Sequence, residues 1–282
     1  MLGHSLFSNL LTYEHDVYGT VRAKENFYLQ RYGKKIFYNI DFKNEKLKKI
    51  DNILQEIKPD YVINCVGVIK QKKECIENIE QNIYINSYLP HLLYNITNKN
   101  NSKFIHFSTD CVFSGKKGGY IESDSPDARD SYGLTKYLGE VTNKNSITLR
   151  TSIIGHELDS SLSLLEWFLS QTDNVKGFSN AVFSGLPTCY VAKILDEYIL
   201  GKNIFGLYHL SVDPIDKYTL LSIVAKIYNK KINISQDYSF EIDRSLCSKK
   251  LSIDSGYTYE SWYELINFMH KDKLSNPIYE NN

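Results

Sequence analysis

Tyr132 and Lys136 stand four residues apart in Tyr132-Gly-Leu-Thr-Lys136. On a helix that spacing puts both side chains on one face. The pairing makes chemical sense. A free tyrosine titrates near ~10 and is a poor acid–base group at neutral pH. A nearby ammonium favours the phenolate and moves the phenol toward the operating range. Alone the pair carries little weight, because the chain holds 22 tyrosines and lysine is common too. Its context adds weight. Upstream, where the apolar run 103–107 ends, stands Ser108-Thr109-Asp110, a hydroxyl that the next helix could bring to the same ligand.

The elements that must position these groups alternate along the chain. Short β-branched runs at 15–21, 35–40, 61–66, 103–107 and 146–150 read as strands. Helical periodicity separates several of them, at 44–57, about 74–97 and 130–142. Strand–helix alternation implies right-handed βαβ units and a doubly wound parallel sheet of Rossmann type. After residue 155 the rhythm loosens into helices at about 162–171, 191–200 and 217–228 and a strand at 207–212. A Trp-centred helix near 261–270 follows. The expected organisation is α/β. A dinucleotide-binding domain spans 1–155. A smaller C-terminal α/β substrate domain spans 156–282, with about 188–212 returning to the sheet. Such sheets bind ligands beyond the carboxyl ends of their strands. Those ends read Gly19-Thr-Val-Arg22, Asp41, Asn64-Cys-Val-Gly67, Ser108-Thr-Asp110 and Thr151-Ser152. This is a polar, small-residue rim on an apolar sheet.

Composition excludes several classes. Lys+Arg and Asp+Glu are 33 each, so the chain lacks the basic excess of a dedicated nucleic-acid binder. No apolar run approaches the ~18–20 residues of a membrane span, and Met1-Leu-Gly-His-Ser5 is no signal peptide. The five cysteines are scattered without a CxxC pair, which fits a reducing cytoplasm. The seven histidines show no metal-ligand spacing, so no metal is expected.

Thr109, Tyr132 and Lys136 together resemble the catalytic set of short-chain dehydrogenases/reductases, and Asn86 matches that superfamily's helix asparagine. Longer stretches narrow the resemblance. They are Lys58-Pro-Asp-Tyr-Val-Ile-Asn-Cys-Val-Gly67, Phe107-Ser-Thr-Asp-Cys-Val-Phe-Ser-Gly115, Tyr120-Ile-Glu-Ser-Asp-Ser-Pro126, Tyr132-Gly-Leu-Thr-Lys-Tyr-Leu-Gly-Glu140 and Leu149-Arg-Thr-Ser152. All resemble the dTDP-4-dehydrorhamnose reductase family, which reduces nucleotide-linked 4-keto-6-deoxy sugars. The resemblance is densest over 58–152. It implies that Tyr132 protonates the carbonyl oxygen and that Thr109 hydrogen-bonds it. Lys136 would lower the tyrosine pKa and hold the nicotinamide ribose. Gly3, Arg22, Asp41, Asn64, Cys65, Val66, Asn86 and Ser108, with Tyr132 and Lys136, would line the cofactor. Asp110, Cys111 and His156 are candidate substrate contacts.

Cofactor choice is read after the second strand, where an acid would bind the ribose 2′-OH and a base would accept a 2′-phosphate. Arg22 and the lack of an acid point to NADPH, with NADH as the alternative. The family often has Tyr where Cys111 stands, two alanines at Cys65-Val66-Gly67, and Pro-x-Asn at Arg129-Asp130-Ser131. These departures leave reduction chemistry intact and weaken rhamnose itself as the product. An N-acetylated 6-deoxyhexose precursor is the alternative substrate. A non-catalytic regulatory subunit on the same fold is the alternative class. No oligomeric state is legible, and a homodimer stays open. The N-terminal segment matches only the third glycine of the family's G-x-x-G-x-x-G loop, at Gly3. The expectation is that the first strand and two glycines precede Met1 in a longer natural chain. That strand would lie between the strands at 15–21 and 61–66.

Overall fold

Two apolar strands, β4 (Lys103–Thr109) and β5 (Ser146–Thr151), carry buried residues at every position but Lys103. A strand apolar on both faces must be covered on both, and here it is. Ile105, Phe107, Ile147 and Leu149 pack against Leu6 and Leu10 of α1 (Leu2–Thr12) and against Val191 and Ile194 of α6 (188–199). Phe104, one residue out of phase, faces the other way. It packs with Ile53 and Leu54 of α2 (Leu47–Ile57) and with Leu89 and Leu93 of α3 (79–99). The computed structural model describes residues 1–22, 32–37, 40–42, 47–69, 78–158 and 160–279.

The sheet is parallel in the order β3 (Tyr61–Asn64), β4, β5, β9 (Gly206–His209). β9 brings the chain back to the sheet after α6. On the other side, β1 (Gly19–Thr20) pairs in parallel with β2 (Ile36–Phe37). Among the described residues no ladder joins β1 to β3, so the parallel sheet is in two pieces. The break falls where the sequence reading places a further strand. On β3, Val62 and Ile63 are only half-buried, whereas their β4 partners Phe104 and Ile105 are buried.

The remaining chain builds a second layer over the strand ends. β7 (Val175–Phe183) runs between β10 (Ile215–Asp216) and β11 (Ile234–Asp243). A two-residue pair, β6 (Ile153–Ile154) with β8 (Leu186–Pro187), lies between the layers in sequence. Helices α4 (Ser131–Leu138), α5 (Leu164–Ser170), α7 (Lys217–Ile227), α8 (Lys249–Ser255) and α9 (Trp262–Ser275) complete the chain. The sequence reading missed β7 and β11. Gly177-Phe-Ser-Asn180 reads as a turn, and β11 is mostly exposed and polar, so neither shows an apolar run. The described part of the 130–142 helix is shorter than expected, ending at Leu138 ahead of Gly139.

Candidate active site

β4 delivers Ser108 and Thr109 to its carboxyl end, and a single tight turn, Asp110–Val112, follows. The Thr109 hydroxyl shapes that turn. It accepts from the Cys111 N–H (3.1 Å) and donates to Asp110 Oδ1 (3.1 Å). A hydroxyl rotates freely, so the same proton can be redirected to a ligand oxygen. α4 then lies against this turn. Asp130 caps it, accepting from the Gly133 N–H at 3.0 Å. Gly133 has no side chain for a reason: a Cβ there would collide with the Cys111 carbonyl oxygen and Ala128. That close approach seats half-buried Tyr132 beside the Thr109–Cys111 turn.

Lys136 follows one helical turn later and is buried. Its ammonium donates to the Phe107 carbonyl at 2.6 Å, two residues before Thr109 on the same strand. Burial pushes the ammonium down to about 8, while the Glu140 carboxylate acts in the opposite direction. Lys136 therefore keeps its charge at neutral pH.

Glu140 was not singled out from the sequence. It accepts from Ser108 Oγ at 2.7 Å and from both Nε and Nη2 of Arg150, at 2.7 and 2.8 Å. Both ends of this fork are buried, Arg150 at 2% and Glu140 at 5% side-chain exposure. The available signal was a charged residue in the middle of an apolar strand, Leu149-Arg150-Thr151. Glu122 accepts from the His209 N–H at 2.8 Å and ties its own segment to β9.

The cofactor-side candidates gather at the other strand ends. Gly3 is exposed at the start of α1, where a Cβ would rest 3.5 Å from Cys65. Asn64 is buried. Its amide nitrogen donates to His106 Nδ1 (3.1 Å) and its oxygen accepts from the Val66 N–H (3.0 Å), which bends the chain after β3. Asn86 sits in a widened stretch of α3, Ile83–Tyr88, of the kind that often marks a functional site. It accepts from the Val68 N–H (2.9 Å) and donates to the Val68 carbonyl (3.1 Å) and Thr135 Oγ1 (3.4 Å). It thus staples the 65–69 segment to the catalytic helix. Arg22 is exposed beyond β1. The Ile40 N–H donates to the Val21 carbonyl (3.1 Å), which brings Asp41 alongside Arg22.

A cavity of about 360 Å³ opens beyond the Thr109 turn. Asp110, Cys111, Ser152, Lys217 and Arg244 line it, with several aromatic rings. Arg244 donates to the Phe113 carbonyl (3.0 Å) and to Cys111 Sγ (3.5 Å). Burial raises the Asp110 carboxyl above its ordinary range, and the Arg244 charge opposes this. His156 stands apart from the cavity lining. It is buried, with Nδ1 on Glu166 (2.6 Å) and Nε2 on the Tyr228 hydroxyl (2.9 Å), so both ring nitrogens are engaged within the protein.

The chain has counterparts among known proteins. The model of the RmlD substrate binding domain family matches residues 1–234. The chain belongs to this family. One relative is a probable low-salt glycan biosynthesis reductase of Haloferax volcanii, 29% identical over 175 residues, covering 58% of each chain. Another is a dTDP-4-dehydrorhamnose reductase of Aggregatibacter actinomycetemcomitans, 25% identical over 189 residues, covering 63% of each. The alignments thus span about six-tenths of these relatives' lengths. Among solved structures, dTDP-4-dehydrorhamnose reductase from Bacillus anthracis in complex with NADP superposes with a TM-score of 0.73. It covers 91% of this chain and 98% of its own at 19% identity, a likeness of fold.

Within the RmlD-type fold, the exposed Arg22 invites a direct test. Arg22→Asp removes the candidate partner of a 2′-phosphate and puts a negative charge in its place. Hydrogen bonds to charged groups are worth ~1.5–3 kcal/mol, so the NADPH-over-NADH preference should fall at least about 10-fold. The ratio of kcat/KM values for the two cofactors measures it. An unchanged ratio would show that Arg22 does not read the 2′ position.

Proposed function

We propose that the protein is an NADPH-dependent reductase of the C4 keto group of a nucleotide-linked 4-keto-6-deoxy sugar, in the making of surface polysaccharide. One observation carries the reading. The buried Lys136 ammonium, one turn after Tyr132 on α4, bonds the Phe107 carbonyl two residues before Thr109, and Asp110 and Cys111, which follow Thr109, line a cavity of about 360 Å³. Relatives named as reductases of glycan biosynthesis and of dTDP-4-dehydrorhamnose support it.

The residues fit a dinucleotide. The exposed start of α1 at Gly3, the 64–68 bend held by Asn64 and Asn86, and Arg22 form one rim. The Lys136 ammonium has three donors and makes one bond, to the Phe107 carbonyl, so two donors remain for ribose hydroxyls. When bound, NADPH supplies the hydride for the carbonyl carbon. The chain does the rest. Tyr132 gives its phenolic proton to the carbonyl oxygen, which stays on the sugar carbon as a hydroxyl. Thr109 hydrogen-bonds that oxygen and fixes the carbonyl's orientation. Lys136 stabilises the phenolate that remains.

A pH dependence follows. Lys136 is charged below about 8 and neutral above it. The reaction needs the charged form, so kcat/KM should hold below pH 8 and fall as pH rises through it. A profile flat through pH 8 and beyond would remove the Lys136 charge from the mechanism.

The alternative reading is a non-catalytic binding subunit on the same fold. Fluorescence titration with NADPH, followed by a panel of 4-keto sugar nucleotides, separates the two. NADPH binding with oxidation by at least one sugar is expected. Binding with no oxidation by any supports the subunit.

A further inference from the structure

The cavity beyond Thr109 is graded from end to end. Trp167, Phe178 and Phe240 are 38, 37 and 47% exposed, and the Phe178 and Phe240 rings lie 5.5 Å apart. That end is open and flat-sided. Asp110 and Phe183 are both 5% exposed, and Asp110 adjoins the candidate catalytic Thr109. That end is closed and next to the chemistry.

Lys217 belongs to the closed end, and its placement is rigid. It is the first residue of α7, directly after the cap Asp216, which accepts from the Thr219 N–H at 2.9 Å. Ile215 pairs with Phe183 across β10 and β7. Gly177 lets the Tyr218 backbone approach β7 where a Cβ would clash. The Lys217 ammonium consequently stands 3.3 Å from the centroid of the Phe183 ring. No ion pair joins it to a carboxylate among the described residues; Asp110 and Cys111 are the groups whose charge favours its own. Folding gains little from this arrangement. A cation in the first turn opposes the helix dipole. A desolvated charge without a paired counter-ion is unfavourable, and an aromatic face offsets that only in part. A ligand that accepts from the ammonium would complete the site.

We propose that Lys217 is a specificity-determining residue that reads the sugar ring of the substrate, donating to one ring oxygen substituent while Asp110 accepts from another. The proposal rests on the nucleotide-sugar reading above. A carboxylate and an ammonium that line one pocket without an ion pair between them match the donor and acceptor sides of neighbouring sugar hydroxyls. The nucleotide base then stacks among the exposed rings, and Lys176 and Arg244, both on the cavity wall, face the diphosphate.

Calorimetry with two unreactive probe pairs, dTDP against dTDP-glucose and UDP against UDP-glucose, tests this on the full chain. In the tighter pair, the wild type should bind the sugar-bearing probe about 10-fold more tightly than the bare diphosphate, as expected for hydrogen bonds to charged groups. Lys217→Met should abolish that preference while holding the diphosphate affinity within about 2-fold, which also shows that the variant folds. Lys217→Gln, closer in polarity, should also lose most of it. Equal weakening of both probes would mean that Lys217 reads the diphosphate and overturns the proposal, as would an unchanged preference. A wild type that binds no nucleotide of either pair would overturn the nucleotide-sugar reading itself, and the proposal with it.

Discussion

Tyr132→Phe should lower kcat by at least ~10²-fold, the usual worth of a positioned general acid, and leave NADPH affinity nearly unchanged. The substitution removes one oxygen and no carbon. Tyr132 sits in the first turn of α4, and the contacts that seat that turn belong to its neighbours: Asp130 caps it and Gly133 rests on the Cys111 carbonyl. The ring should therefore keep its place. The carbonyl oxygen would still meet Thr109 and the field of the Lys136 ammonium, so binding should survive. What is lost is the proton at the moment charge develops on that oxygen. Single-turnover absorbance of NADPH separates the two effects. Near-normal turnover would take Tyr132 out of the mechanism.

Arg150→Met should destabilise the fold by about 3–5 kcal/mol, because it leaves a buried carboxylate without its counter-ion. In a chain of this size that is roughly 6–20 °C in Tm. Arg150 supplies both prongs of the fork on Glu140; of the hydrogen bonds described for this carboxylate, the one from the Ser108 hydroxyl at 2.7 Å would remain. The Glu140→Met/Arg150→Met double variant should be less damaged than the single one, since apolar replacement of a whole buried pair is often nearly neutral. Thermal melts compare them. A single variant as stable as the wild type, or a double variant less stable than the single, would mean that the pair does not act as a unit. The same carboxylate supports the Lys136 charge, so this network ties stability to the candidate site.

The catalytic candidates were legible because each is local. Tyr132 and Lys136 share a helix face, and Thr109 ends a strand that is buried from Phe104 onward. Asn86 was legible as a family match, while the widened turn that aims its amide at Val68 was not. The parallel sheet was legible from strand–helix alternation. The cavity was not. Its walls come from the 110–111 turn, α5, β7, α7 and β11, elements far apart in sequence that meet only after folding. Lys217 and Arg244 read as ordinary surface cations until β7 brings them to Asp110. His156 lies outside the cavity lining for the converse reason. Its neighbours in sequence lie near the strand ends, but Glu166 and Tyr228, each from another helix or loop, claim both ring nitrogens.

The central claim is hydride transfer to a sugar carbon with a proton from this chain. The most direct test is to supply NADPH deuterated at nicotinamide C4 together with a dTDP-linked 4-keto-6-deoxy sugar, and to weigh the product. One deuterium at the sugar C4, with one NADPH oxidised per sugar reduced, is the result this account predicts. NADPH oxidation without label in the sugar, or no reaction with any 4-keto sugar nucleotide despite cofactor binding, would contradict it.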